Sequence, residues 1–430
     1  MNTGELLPYQ VRRHLCGPIE DALADTRVIG IIGPRQAGKS TLVRSLVAAR
    51  PDAIYVSLDD RRIQLAAEAD PHGFVADRPG LLAVDEIQRV PDLLLAIKSV
   101  VDLDPRPGRF IITGSSQLSA NRGVSETLAG RIERCELWPF TQGELSGRRE
   151  GFLDLLLDDA LGTVTASSLT KRDYLELAAT GGYPEVVLRA RTRRIGWFES
   201  YVETVVEREA PGITTSPRTG ELPRLLRLVA ARQATVLNVA DLARDARLPE
   251  RSVYRYLDVL EAVFLVRRIP AWSPNLAQRE VRAPKIVLTD PGVAVALRGM
   301  DVDTLARPEI AQGADGAVLE GFVVAELIRQ LGWSRTRARI LHYRDRQLAE
   351  VDIIVEAPDG RVAGIEVKAG ADIGRRDVQH LSKLRDRLGD RFVSGVVLNT
   401  GPTALSLGKR LLALPISILW DSGVSLRSPR

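Results

Sequence analysis

The feature that most limits how this chain can fold is the octet Gly33-Pro34-Arg35-Gln36-Ala37-Gly38-Lys39-Ser40, set between the apolar run Val28–Ile32 and a helix-compatible stretch at residues 41–49. A short apolar run ending at a glycine-rich loop reads as a buried parallel strand. The octet fits G-x-x-x-x-G-K-[ST] position for position, between a strand and a helix as that motif requires. Its glycines let the backbone fold around a phosphate chain with N–H groups pointing inward. The following helix N-terminus adds a dipole that favours an anion. Residues Gly33, Pro34, Arg35, Gln36, Ala37, Gly38, Lys39, Ser40 and Thr41 are therefore expected to hold ATP. Lys39 is expected at the β- and γ-phosphates and Ser40 on a Mg2+ ion.

Further strands are expected at 53–58, 80–84 and 110–113, alternating with helical stretches, so the N-terminal part reads as an α/β unit with a parallel sheet. The run Leu81-Leu-Ala-Val84 ends in Asp85-Glu86. After a phosphate loop, Asp85 is the expected metal-side acid and Glu86 the group that polarises an attacking water. Phe110-Ile-Ile-Thr113 ends in Gly-Ser115-Ser116, which predicts that Thr113 faces the γ-phosphate from the C-terminal edge of the sheet.

Together these segments resemble the AAA+ ATPases, and more narrowly a bacterial and archaeal group that carries a C-terminal domain of unknown function. Leu128-Ala-Gly130-Arg131, Leu137-Trp-Pro139-Phe140 and Glu144-Leu145 are similar to that group's next segment. The resemblance covers essentially the whole chain. It implies an oligomer, in ring form in many such proteins, with Arg131 as the candidate arginine that completes a neighbouring subunit's ATP site.

Beyond this core the pattern turns helical over 147–212, read as a helical lid. Residues 239–243, a break at Leu248-Pro249 and residues 252–262 then read as a helix-turn-helix, followed by a strand at 264–269. That order predicts a winged helix over 213–275. Its second helix would present Arg251, Ser252 and Arg255 to DNA, with Tyr254, Leu257 and Leu260 at core spacing. Residues 270–284 read as an irregular linker.

The last unit, 276–430, alternates strand and helix again. Asp352 on one strand and Glu366-x-Lys368 on the next place two carboxylates and an ammonium together, because period two puts Glu366 and Lys368 on one strand face. Two such acids can bind Mg2+ and activate water at a phosphodiester. Glu320, from a helix, can join them. This looks like the PD-(D/E)XK nuclease core, with one departure: no proline precedes Asp352. The resemblance implies a restriction-endonuclease-like α/β domain with Asp352 and Glu366 as metal ligands and Lys368 and Glu320 in support. Arg335, Arg337, Arg339, Arg344 and Arg346 form a basic group between these elements.

Composition adds less. The net charge of +4 over 430 residues is weak ground for a nucleic-acid partner, although only seven of the 59 basic residues are lysine. Arginine suits phosphate, but a GC-rich genome produces the same bias. Cys16 and Cys135 stand far apart with no metal-ligand spacing, which points to a reducing cytoplasm. No apolar run reaches the roughly 18 residues of a membrane span, and the first residues lack a signal-peptide core. Two readings follow. One is a DNA-directed ATPase that remodels DNA and cuts it with its C-terminal domain. The other is an ATP-gated signalling or defence switch that binds a protein partner.

Overall fold

The structure, a computed structural model, describes residues 11–76, 78–114, 127–161, 166–208, 210, 219–345 and 350–421. Ser115, Ser116 and Arg346 lie outside the described residues.

The N-terminal unit is a five-stranded parallel sheet in the order β2-β3-β4-β1-β5. Its strands are β1 (Val28–Ile32), β2 (Ile54–Ser57), β3 (Leu82–Asp85), β4 (Phe110–Gly114) and β5 (Ile132–Glu136). β1, β3 and β4 are buried along their length, as central strands covered on both faces must be. All pairings are parallel, so the loops after β1, β3 and β4 meet at one edge, the usual ligand edge of such sheets. β5 was not legible as a strand: only Cys135 of its five residues is buried. The first helix, Cys16–Leu23, runs through Gly17-Pro18. Proline in a helix's first turn loses no intrahelical hydrogen bond.

The middle unit packs helices Leu222–Ala231, Val239–Ala246 and Glu250–Ala262 against an antiparallel sheet of order β6-β8-β7. These strands are β6 (Thr235–Val236), β7 (Val266–Ile269) and β8 (Lys285–Leu288). The expected domain boundary at 275/276 therefore moves, because β8 lies beyond it and pairs with both earlier strands. Residues 270–284 are also not an irregular linker throughout. They contain the helix Leu276–Val281, and Trp272 N donates to His342 O at 2.6 Å.

The C-terminal unit is a six-stranded mixed sheet of order β13-β14-β12-β11-β10-β9. It comprises β9 (Arg339–Arg344), β10 (Glu350–Glu356), β11 (Val362–Lys368), β12 (Phe392–Asn399), β13 (Leu405–Gly408) and β14 (Leu411–Pro415). The helix Ala314–Gln330 is buried over most of its surface, as a helix clamped between units must be. One apolar cluster runs from Val28 and Phe110 through Phe152, Leu156 and Phe322 to Ile353 and Val396. It ties the first sheet to the last. Among the described residues no helix is long and apolar enough to cross a membrane.

Candidate functional site: a phosphate loop and a lysine-filled acid cluster

The loop after β1 folds as its glycines allow. Gly33 has φ +152°, and a Cβ there would stand 2.1 Å from Leu137 O. Gly38, at φ +96°, is the N-cap of the helix Lys39–Ala48. Neither position tolerates a side chain without strain. Arg35, Gln36 and Thr41 are exposed, Ser40 is half-buried, and Lys39 is buried. Lys39 Nζ donates to Gly33 O at 2.9 Å and Pro34 O at 3.0 Å.

Asp85 ends β3, 3% exposed. Tyr55 OH donates to its Oδ2 at 2.7 Å, and Thr113 Oγ1 donates to its Oδ1. Thr113 also accepts from Glu86 N at 3.1 Å. Thr113 is wholly buried and its hydroxyl is used in both directions. In this structure it braces Asp85 and Glu86. Glu86 has φ +59°, a conformation costly for a side-chain-bearing residue. The Gln88 side-chain amide holds its carboxylate. Burial, and then the hydrogen bond to Asp85, push the Tyr55 hydroxyl's pKa up, which keeps it a donor. Tyr55 and Gln88 escaped the sequence reading because neither lies in a recognised motif.

Two further contacts reach the loop from outside. Arg13 is 8% exposed. Its Nη1 donates to Ala37 O at 2.8 Å and its Nε to Glu144 Oε1 at 3.0 Å. Tyr201 OH donates to Arg35 O at 3.3 Å. From the segment around Glu144 a buried polar path leads to the C-terminal unit. Gln142 N donates to Glu326 Oε2 at 3.0 Å. Arg329 binds Glu326 Oε1 at 2.9 Å, Phe140 O at 2.8 Å and Asp290 Oδ2 at 3.1 Å. Asp290 in turn accepts from Gly182 N at 2.9 Å. Burial raises the Glu326 pKa to about 8 despite Arg329.

Arg131 stands elsewhere. Its carbonyl accepts from Val28 N at the start of β1, so it is at the sheet edge opposite the phosphate loop, a strand length of about 16 Å away. Its guanidinium grips both oxygens of Asp102. In this subunit it is a structural ion pair remote from the loop, not part of the site.

In the C-terminal sheet β10 and β11 pair antiparallel with Ile353 opposite Ile365, which sets Asp352 beside Glu366, as the spacing predicted. Asp352 Oδ2 accepts from Val367 N at 2.9 Å, and Lys368 Nζ lies 3.5 Å from Glu366 Oε2. Glu320 joins them, together with Glu350, which the sequence reading did not single out. The arrangement differs from expectation at its centre. Lys285, from β8, places Nζ 2.8 Å from Glu320 Oε1, 2.9 Å from Glu350 Oε1 and 3.4 Å from Asp352 Oδ1. Among the described residues no group of three or more His, Cys, Asp or Glu side chains is arranged to hold a metal ion. An internal ammonium thus sits beside Asp352, among the carboxylates expected to hold metal. Burial opposes the charge of Lys285, but Glu320, Asp352 and Glu350 outweigh it and raise the pKa. Burial, then Asp352, push Glu320 up to about 8 and Glu366 up to about 9. Both keep protons near neutrality, which reduces the negative charge around the ammonium.

The fold and loop define an AAA-type P-loop ATPase. Residues 25–146 match the family described as an AAA domain, residues 171–304 a domain of unknown function (DUF8612), and residues 315–419 another (DUF4143). Over 360 residues the chain is 30% identical to an uncharacterised protein of Mycobacterium tuberculosis and to one of Mycobacterium bovis, covering 83% of this chain and 74% of each relative. The chain belongs to the family of these two proteins. Solved structures similar to it include the Walker-type ATPase of Pyrococcus abyssi, at 15% identity and TM-score 0.41, covering 68% of this chain and 99% of that one. AMPPCP-bound DnaA of Aquifex aeolicus is similar at 17% identity and TM-score 0.28, covering 61% and 89%. A RuvB variant of Thermotoga maritima is similar at 15% and 0.28, covering 60% and 89%.

Proposed function

We propose that this protein is a magnesium- and ATP-dependent DNA-binding ATPase, in which the nucleotide state of the N-terminal loop governs a DNA-binding winged helix in the middle unit. The loop from Gly33 to Thr41 wraps the triphosphate and Lys39 swings from its own loop carbonyls to the β- and γ-phosphates. Ser40 and Asp85 would hold Mg2+, whose chemistry there is to offset charge on the phosphate oxygens. Their hard oxygens fit that ion. Asp85 fits it although Tyr55 and Thr113 already donate to it, because a carboxylate offers about four lone-pair sites. Glu86 orients the attacking water once Gln88 releases it.

The observation that carries the DNA reading is the outer face of the helix Glu250–Ala262. Val253, Tyr256, Leu257 and Leu260 are its buried stripe, with i, i+3, i+4, i+7 spacing. Tyr254, expected in the core, is instead 52% exposed. It shares the exposed side with Arg251 and Arg255. An aromatic ring between two guanidinium groups at the start of the second helix of a helix-turn-helix suits phosphates and base edges. Arg337, Arg339 and Arg344 are exposed as well and are further candidate phosphate contacts. The path from Ala37 through Arg13, Glu144, Glu326 and Arg329 supports coupling between nucleotide and the remaining units. A homo-oligomer, in which neighbouring subunits complete each other's ATP sites, goes with this reading.

A second reading is favoured by one observation. Lys285 fills the C-terminal acid cluster, so that domain suits binding better than cleavage, and an ATP-gated switch with a protein partner would share this design. Fluorescence anisotropy of labelled DNA at low salt separates the two. The DNA reading expects salt-sensitive binding that Arg251→Ala with Arg255→Ala weakens at least about tenfold. Absence of binding to single-stranded, duplex and branched DNA alike would remove it and leave the protein-partner switch.

A further inference from the structure

The C-terminal acid cluster has the residues of a cation site, and a cation is already there. Lys285 Nζ lies within 3.4 Å of oxygens from Glu320, Glu350 and Asp352. The lysine side chain is only 3% exposed. A divalent metal needs its oxygens at about 2.0–2.6 Å from one point, and that point cannot be shared with an ammonium. Glu366 Oε1 is buried with no hydrogen-bond donor among the described residues. It lies against Asp352. Lys368 supplies a second ammonium at Glu366. The lysine arrives from β8 of the middle sheet and its acids from the C-terminal sheet and the helix Ala314–Gln330.

We propose that Lys285 is the resident cation of this cluster: its ammonium takes the place of a divalent ion, closes the C-terminal domain to metal-dependent chemistry, and fastens β8 of the middle unit to β10 and the helix Ala314–Gln330. A buried charge pair is costly to break because the surviving partner is left unpaired in a poorly solvated site. The acids left around an empty point have lost their cation, and a divalent ion is the species that would replace it. The proposal stands on side-chain positions alone, whatever DNA or protein the chain binds.

The test is Mn2+ binding to the full-length chain without nucleotide, followed by electron paramagnetic resonance, with thermal melting in parallel. The wild type is expected to show no Mn2+ site that Asp352→Asn removes, and no change in melting between Mn2+ and EDTA that depends on Asp352. Lys285→Ala is expected to gain one Mn2+ site per chain, to melt higher with Mn2+ than with EDTA, and to lose both responses when Asp352→Asn is added. An Asp352-dependent Mn2+ site in the wild type overturns the proposal, and so does a folded Lys285→Ala chain that gains no site. If Lys285→Ala does not fold, the wild-type comparison still decides, and Lys285→Arg must then behave as wild type in both assays. Loss of DNA binding in the anisotropy experiment would leave every one of these results unchanged.

Discussion

Replacing Arg329 by methionine removes the cation at the centre of the path between the ATPase core and the C-terminal unit. The side chain is 2% exposed, and its partners Asp290 and Glu326 are fully buried. The change deletes bonds to Glu326 at 2.9 Å, Asp290 at 3.1 Å and the Phe140 carbonyl at 2.8 Å. Asp290 keeps three backbone donors, Gly182, Gly292 and Val293, and Glu326 keeps Gln142 N. The two carboxylates then face a shared site with no counter-charge. Removing one member of such a buried pair costs about 3–5 kcal/mol. The loss has a pH signature, because the acids can escape it only by protonation. The penalty should therefore shrink as pH falls from 8 to 6. Calorimetric or urea unfolding of Arg329→Met at the two pH values measures both. Adding Glu326→Gln should recover part of the loss, since one stranded charge is gone. A pH-independent penalty below about 1 kcal/mol, the worth of an exposed pair, would refute the assignment of this arginine as a buried charge anchor.

Other expectations follow from the loop and the acids. Lys39→Ala should abolish nucleotide binding in a fluorescent-nucleotide assay. Glu86→Gln should bind ATP but hydrolyse it at least about a hundredfold more slowly, and normal turnover would remove Glu86 from the mechanism. Gln88→Ala frees the Glu86 carboxylate and should raise the basal ATPase rate several-fold; an unchanged rate would show that the contact does not restrain Glu86. Glu320, Glu326 and Glu366 have folded-state pKa values of about 8, 8 and 9, raised above the unfolded range near 4.3. The folded chain holds protons the unfolded chain releases, so stability is greatest below the unfolded pKa and falls as pH rises towards the folded values. The slope is about 1.4 kcal/mol per pH unit for each group in its window. Glu366→Gln should flatten the part of the melting-temperature profile between pH 7 and 9, and an unaltered profile would contradict the raised value.

The parts that could be read in advance are contiguous. Gly33 to Ser40 lies in one stretch, Asp85 and Glu86 are adjacent, and β1, β3 and β4 are unbroken apolar runs. Asp352 and Glu366 could be set side by side because strand period two and antiparallel pairing are local rules. What escaped depends on segments distant in sequence. Lys285 heads a short apolar strand and meets acids 35 to 67 residues away, so nothing beside it marks it. Arg13 reaches Ala37 and Glu144 across 24 and 131 residues. β5 is an edge strand with little apolar signal. Tyr254 and Tyr256 are both plausible core residues by type, and only the placement of Val253 and Leu257 on the packed face decides between them. Thr113 lies on the strand as expected, but which neighbour its hydroxyl binds is set by Asp85 and Glu86 on a different strand.

On the proposed function, ATP turnover in this chain answers to DNA. The direct measurement is the ATPase rate of the full-length protein with Mg2+, with and without single-stranded, duplex or branched DNA, for the wild type and for Arg251→Ala with Arg255→Ala. The account predicts that at least one DNA form changes the wild-type rate several-fold and that the double variant keeps its basal rate but loses the response. A wild-type rate indifferent to every DNA form, or a response untouched by the double variant, would contradict it.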